Sequence, residues 1–159
     1  MTKRIRIARQ FLFLVFGTFL LSSCGLKSSD PATLYRDLLN TSPYEKVSGF
    51  KGDGRFAIPN FMTWAIFSYT ADSDFVKYLK SYNSFEVSST WNKTFEQESI
   101  KDFPKDLTYW TQNSKVNVST DFDFTKCAYY RGVNFPFIHE VLIDTTNFHV
   151  LHLVSGMRD

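Results

Sequence analysis

The first 23 residues of this chain decide which part of it is left to fold. They begin with four basic residues and no acidic one, and they continue from Phe11 to Leu21 without a charge. An uncharged run of this length falls within the roughly 7–15 residues typical of the apolar region of an export signal, and it is shorter than the ~20 residues of a membrane-spanning helix. The leader is therefore expected to direct export and to be removed, and a permanent transmembrane helix is not expected.

Small residues precede a cysteine at the end of this leader. The segment Leu21-Ser22-Ser23-Cys24 follows the basic start and the apolar run in that order, and the arrangement resembles the lipobox of bacterial lipoproteins. The resemblance implies that Cys24 is alkylated with diacylglycerol, becomes the new N-terminus and anchors the protein in the cell envelope through its lipid. Two or more acyl chains hold a protein stably, because each buried CH₂ contributes about 0.8 kcal/mol. An ordinary export signal with an incidental cysteine is the alternative.

The residues after Cys24 bear on which membrane is involved and on how close the domain lies to it. In Gram-negative lipoproteins an Asp at the next position favours retention in the inner membrane, and Gly25 stands there in this chain. The resemblance thus implies the periplasmic side of the outer membrane if the source is Gram-negative. Residues 24–30 form the lipidated cysteine and a short tether, which spans at most about 20 Å when fully extended. The domain is expected close to the lipid surface.

Removal of the leader changes the charge of the working protein. The whole chain has 18 basic and 16 acidic side chains, for a net charge of +2, but four of the basic residues lie in the leader. The mature chain therefore has 14 basic and 16 acidic residues, a net charge of −2. Because nucleic-acid binding needs a clustered positive surface, a nucleic-acid partner is not expected.

The mature sequence fits one domain, which we place at residues 31–159. Removal of 23 residues from 159 leaves 136, within the usual ~100–150 residues of a single domain. The chain is rich in aromatic residues, so it has enough apolar surface to offset the entropy of ordering. Runs with strand and helix periodicity predict the α+β class, with a mostly antiparallel sheet of about five or six strands, two or three helices and a C-terminal β-hairpin.

Local patterns place the elements of this domain. Asp30 and Pro31 indicate a helix start, and the predicted helix continues to about Leu39. Residues 40–54, rich in Ser, Pro and Gly, indicate a turn. The remaining predictions are a buried strand at 61–70, a helix from 72 or 73 to 82, a strand at 85–90, a helical turn at 104–110, half-exposed strands around 116–118 and 122–124, and a strand around Cys127.

The C-terminal hairpin supplies the first candidate site. Its predicted strands are residues 137–143 and 148–154, with a turn at 144–147 in which Asn147 takes the left-handed position. If Asp144 pairs with Phe148, then Glu140 faces His152, and a carboxylate there would orient the imidazole for general acid–base work. A cross-strand polar pair without catalytic function is the alternative. A two-residue loop would instead place His139 opposite His152.

Cys127 supplies the second candidate. With Cys24 lipidated, Cys127 has no disulfide partner within the chain, and a buried structural thiol is the simpler interpretation. The alternative is a nucleophile assisted by His139. Three scattered histidines and one thiol do not form a zinc ligand set, and a pair such as Asp121 and Asp123 is typical of a solvated strand face. We expect no metal site and no cofactor.

Two hypotheses for function follow from these residues. The first is a non-enzymatic lipoprotein whose domain binds an envelope protein or a cell-wall component, where Trp64, Trp91 and Trp110 would offer a stacking platform for sugar rings. The second is a small hydrolase or ligand-binding enzyme that uses Glu140 with His152, or Cys127 with His139. The anchor and the short tether favour the first.

Overall fold

The computed structural model describes residues 30–39, 42–55, 64–81, 93–117, 120–134 and 136–156. Six strands, three α-helices and two short 3-10 turns lie within these ranges. In chain order they are α1 (Pro31–Leu39), β1 (Ser48–Arg55), β2 (Trp64–Thr70), α2 (Phe75–Ser81), β3 (Lys93–Glu98), a 3-10 turn (Ile100–Asp102), α3 (Thr108–Asn113), a second 3-10 turn (Phe124–Lys126), β4 (Cys127–Asn134), β5 (Phe137–Asp144) and β6 (His149–Gly156).

The six strands form one antiparallel sheet in the order β1-β2-β6-β5-β4-β3. Strands β4, β5 and β6 follow one another both in sequence and in the sheet, because short turns connect them. Strand β2 lies between β1 and β6, so it is an interior strand. The predicted α+β class, with five or six mostly antiparallel strands, two or three helices and a C-terminal hairpin, is confirmed.

Both faces of the sheet are covered. One face, here called the α1 face, packs against α1 and α2, and Phe67 and Val141 point to it. The opposite face, here called the α3 face, packs against α3 and its flanking segments, and Ile66 and Leu142 point to it. Since successive side chains of a strand alternate between faces, the interior strands need apolar residues at nearly every position.

Strand β2 shows how the sequence meets this demand. The run of residues 64–70 is apolar, aromatic or β-branched except for Ser68, and every residue before Thr70 is buried. Such residues favour a pleated strand that is packed on both sides. The prediction of a buried strand here is confirmed for residues 64–70, and residues 61–63 lie outside the described part of the chain.

Helix α1 begins as its sequence indicates. Asp30 accepts a hydrogen bond from the Thr33 backbone N–H at 2.9 Å, and Pro31 occupies the first helical position. The Tyr35 ring lies with its centroid 5.6 Å from Phe50, 5.1 Å from Phe67 and 5.6 Å from His152, so α1 lies over β1, β2 and β6. Among the described residues, no helix is both long enough and apolar enough to span a membrane.

Strand β1 corrects the expectation of a turn for residues 48–54, whereas residues 42–47 lie outside any helix or strand and contain a turn at 45–46. The pairing partner of β1 is β2, and Gly54 lies opposite Ala65. A Cβ at Gly54 would stand 2.6 Å from the Trp64 carbonyl oxygen, so the glycines that suggested a turn serve close strand packing instead. The sequence pattern hid the strand because its polar and glycine residues lack the usual apolar alternation.

Other local predictions also need correction. Residues 93–98 form the edge strand β3 in a polar stretch where no strand was expected. Residues 122–124 are not a strand, because Asp123 accepts a hydrogen bond from the Thr125 N–H and starts a 3-10 turn. Val116 lies in a loop after α3. The strand predicted at 85–90 lies outside the described residues.

The hairpin has the predicted strands but neither predicted register. Glu140 lies opposite Leu153, and Val141 lies opposite His152. The loop is longer than expected, because the Phe148 N–H donates to the Asp144 carbonyl at 2.9 Å, and Phe148, not Asn147, has the positive φ of 56°. One extra loop residue moves each side chain of β6 to the face opposite the one expected relative to β5.

Gly54→Ala tests the close contact of β1 with β2. The added methyl group meets backbone and has no flexible neighbour to displace, so we expect a loss of about 1–3 kcal/mol in the free energy of unfolding. Lys51→Ala, at an exposed position of the same strand, is the control and should change it by less than about 0.5 kcal/mol. Urea denaturation of both variants measures the difference, and equal midpoints would contradict the contact.

Candidate functional site

An open groove lies on the α3 face, where β2 and β5 end and β6 begins. Its volume is about 400 Å³, and it brings together residues from three separate segments of the chain. The lining residues are Thr70, Asp121, Phe122, Asp144, Asn147 and His149. We call it the β2–β6 groove. Most small-molecule sites are concave and largely apolar with a few converging polar groups; this groove is concave but open, and five of its six lining residues are polar.

The His149 imidazole is fixed at the base of this groove. Its Nε2 atom lies 3.0 Å from the Ser68 Oγ, which β2 supplies from the neighbouring strand. The Phe122 ring packs against the imidazole with centroids 5.2 Å apart. Partial burial lowers the pKa of His149, and the Asp144 carboxylate acts in the opposite direction. The imidazole is therefore neutral at pH 7, with one nitrogen engaged by Ser68.

The loop before β6 contributes to the lining of the groove through Asn147, next to Asp144 at the end of β5. Asp144 Oδ1 accepts hydrogen bonds from the backbone N–H groups of Thr146 and Asn147, at 2.7 and 3.4 Å. Asn147 Oδ1 in turn accepts from the His149 N–H at 2.8 Å. Phe148 takes a left-handed backbone conformation that is rare for a bulky residue and costs on the order of 1 kcal/mol. These bonds hold Asn147 and His149 in their places at the groove.

The charge of the lining restricts the ligands that suit it. Asp121 and Asp144 carry two carboxylates, and His149 is neutral, so the lining has negative charge and no Lys or Arg side chain. Carboxylate, amide and hydroxyl oxygens accept hydrogen bonds. The groove thus suits a ligand rich in N–H or O–H donors better than a phosphate or another anion.

Glu140 and His152, the candidate acid–base pair, lie on opposite faces of the sheet. Glu140 is on the α3 face, where it accepts a hydrogen bond from the Tyr129 hydroxyl at 3.0 Å. Burial raises the pKa of Glu140, while Tyr129 and Arg131 act against the rise. His152 is on the α1 face. The sheet separates the two side chains, so this arrangement does not let one orient the other.

His152 instead contacts His139. The His139 Nδ1 and His152 Nε2 atoms are 3.1 Å apart, and both residues are fully buried. Rings of Tyr35, Phe67 and Phe95 surround the pair. Burial lowers the pKa of His139 to about 3 and that of His152 well below its usual value, with the neighbouring His139 adding to the second effect. Both imidazoles are neutral and inaccessible, as expected of structural groups.

Cys127 and His139 are not brought together either. Cys127 is on the α3 face at the start of β4, whereas His139 is on the α1 face near the start of β5. The Cys127 thiol donates to the Asp123 carbonyl at 3.3 Å, and burial, together with Asp144 and Asp123, raises its pKa to about 11. A thiol that stays protonated at neutral pH is a poor nucleophile.

The other sequence candidates take structural positions as well. Trp64 and Trp110 are 8% and 7% exposed and belong to the core of the α3 face, so they form no open platform for sugar rings. Trp91 and Cys24 lie outside the described residues. Within the described ranges, no three His, Cys, Asp or Glu side chains are placed to hold a metal ion.

Comparison with known proteins adds no family. No protein-family model, no curated protein and no solved structure matches this chain.

Ser68 and His149 are the site residues that sequence reasoning missed. Ser68 sits in an apolar strand with no motif around it, and His149 acquires its partner only because β6 pairs with β2. One signal was present: Ser68 is the single small polar residue within the buried run 64–69. A buried hydroxyl needs a hydrogen-bond partner, but the sequence does not say which.

Acidification should destabilise the fold through the buried histidine pair. The histidines of the unfolded chain bind protons at about pH 6.5, whereas in the folded protein burial lowers the pKa of His139 to about 3 and that of His152 well below its usual value. The free energy of unfolding should therefore fall as the pH drops below 6.5, by up to about 1.4 kcal/mol per pH unit for each histidine. Denaturant unfolding between pH 8 and pH 5 measures this slope above the range in which solvent-exposed carboxylates titrate.

The double variant His139→Leu, His152→Leu removes both imidazoles without leaving one unpaired, and its stability should vary much less between pH 6.5 and pH 5. His149→Asn is the matched control, because it removes the remaining histidine of the described sheet and should leave the slope mostly intact. A wild-type stability that stays constant from pH 8 to pH 5 would contradict this role of the pair.

The electrostatics of the groove can be tested on His149. Asp144→Asn keeps an oxygen that accepts the turn hydrogen bonds but removes the charge that favours imidazolium, so the pKa of His149 should fall further. Titration of the imidazole C–H signals by NMR measures it. Asp121→Asn is the control, and an unchanged His149 pKa in Asp144→Asn would show that this carboxylate does not act on the ring.

Proposed function

We propose that this protein is a lipid-anchored component of the bacterial cell envelope whose domain binds an envelope protein or a cell-wall component without catalysing a reaction. The observation that carries the proposal is the leader ending in Leu21-Ser22-Ser23-Cys24, followed within a few residues by the start of a folded domain at Asp30. Diacylglycerol on Cys24 would hold the domain permanently at a membrane surface. In a Gram-negative source, Gly25 favours the outer membrane.

The β2–β6 groove supports a binding role. Its six lining residues converge from three segments, and the hydrogen bonds of the 144–149 loop hold the groove in shape before any ligand arrives. Preformed sites lose less conformational entropy when they bind. Carboxylates at Asp121 and Asp144 and the Asn147 amide supply hydrogen-bond acceptors for a polar, donor-rich partner.

The enzymatic alternative has less support. The pairs Glu140 with His152 and Cys127 with His139 are each divided by the sheet. Ser68 with His149 has the distance of a nucleophile and its base, but Ser68 is only 4% exposed and does not line the groove. A nucleophile must reach its substrate. The same hydrogen bond is better explained as the means by which a buried hydroxyl is satisfied and the imidazole is held.

Variants of the two cysteines of the chain test whether the protein is anchored by a lipid on Cys24. Growth with an alkyne-labelled fatty acid should label the wild-type protein, and Cys24→Ala should lose the label completely because the acceptor sulfur is gone. Cys127→Ala is the matched control and should keep full labelling, since its thiol lies within the fold. Intact-mass analysis should find a diacylglycerol-modified N-terminus at Cys24. Fatty-acid labelling that persists in Cys24→Ala would contradict lipidation of Cys24.

The groove is tested by variants that remove exposed acceptors without touching the core. Asp121→Ala and Asn147→Ala should each reduce cross-linking of the lipidated protein to its envelope partner by several-fold. Asp121→Ala should leave the unfolding midpoint nearly unchanged, whereas Asn147→Ala should also lower it slightly, because the His149 N–H loses its acceptor. Lys101→Ala, exposed on the same side of the sheet but outside the groove, is the control. Cross-linking yields that are equal in all three variants would contradict a binding role of the groove.

A further inference from the structure

The length of the tether and the position of α1 together restrict how the domain lies on its membrane. The chain between Cys24 and Asp30 comprises six residue steps, which reach at most about 20 Å. Six residues of random coil have a root-mean-square span of only about 13 Å. The point where the folded domain begins is therefore held near the lipid headgroups.

That starting point lies on one particular side of the domain. Asp30 caps α1, and α1 packs on the α1 face through Leu34, Tyr35 and Leu38. The Tyr35 ring stands above β1, β2 and β6, so α1 lies over the sheet and not beside it. The β2–β6 groove is on the other side of the sheet, with Phe122 and His149.

The thickness of the domain decides between its possible orientations. Layers of secondary structure pack about 10 Å apart, and a helix with its side chains adds about 5 Å beyond its axis. With α3 against the membrane, Asp30 would stand about 25 Å above the surface, which exceeds the full reach of the tether. With α1 or an edge of the sheet toward the membrane, the tether is long enough.

We propose that the side of the domain formed by α1 and α2 faces the bilayer that holds Cys24, and that the side with the β2–β6 groove faces away from it. This inference rests on the proposed lipid anchor. The groove then opens toward the aqueous compartment, where an envelope partner can reach it.

Fluorescence quenching from the membrane tests the orientation. In a Cys127→Ser background, the lipidated full-length protein carries a single new cysteine labelled with a fluorophore, at Ser81 on α2 or at Gln112 on α3. Both positions are exposed and uncharged, so they form a matched pair. The protein is placed in phosphatidylethanolamine–phosphatidylglycerol vesicles that contain a nitroxide on the lipid headgroup. Quenching should be at least threefold stronger at Ser81 than at Gln112.

Equal quenching at the two positions, or stronger quenching at Gln112, would overturn the orientation. Failure of both labelled proteins to float with the vesicles would instead overturn the anchor, so the two proposals fail in different ways. Insertion of about 15 Gly and Ser residues between Ser28 and Ser29 should bring the two signals close to equality, because the longer tether spans the domain thickness. If quenching at Ser81 is still at least threefold stronger than at Gln112 after the insertion, tether length is not the cause of the orientation.

Discussion

Burial of the sheet on both faces is the constraint on which the rest of this structure depends. Strands β2, β6 and β5 lie in the middle of the sheet and carry apolar side chains at almost every position, so two layers must cover them. Helices α1 and α2 form one layer, and α3 with its flanking segments forms the other. The α3 layer contributes Asp121 and Phe122 to the β2–β6 groove, so the groove exists because the second face had to be covered.

Because both faces of the sheet are covered, the three histidines lie in different surroundings. His139 and His152 point to the α1 face, where aromatic rings enclose them and keep them neutral. His149 points to the α3 face at the end of its strand, where the covering layer leaves the groove open. A buried imidazole pair contributes less to stability than apolar packing would, because its polar atoms lose water. The groove, by contrast, keeps His149 partly accessible.

An anchor, a thin domain and a groove on one side form a coherent arrangement. The lipid on Cys24 would fix one end of α1 near the membrane, and the sheet separates that side from the groove. If Cys24 carries the lipid, six residues would reach less far than the domain is thick, and this would fix which side of the domain faces the membrane. A ligand site in the groove would then need no conformational change to meet a partner in the aqueous compartment.

The sequence by itself determined the helix start at Asp30, the buried strand β2, the α+β class and the existence of the hairpin, because each depends on local composition and periodicity. The export leader stays a prediction from the same kind of pattern. The existence of β1, the register of the hairpin and the formation of the groove follow only from the tertiary structure. Gly52 and Gly54 look like turn residues until β2 packs against them, and one extra loop residue at Phe148 separates Glu140 from His152. Ser68 meets His149 through strand pairing between distant segments, and no local pattern records such a contact.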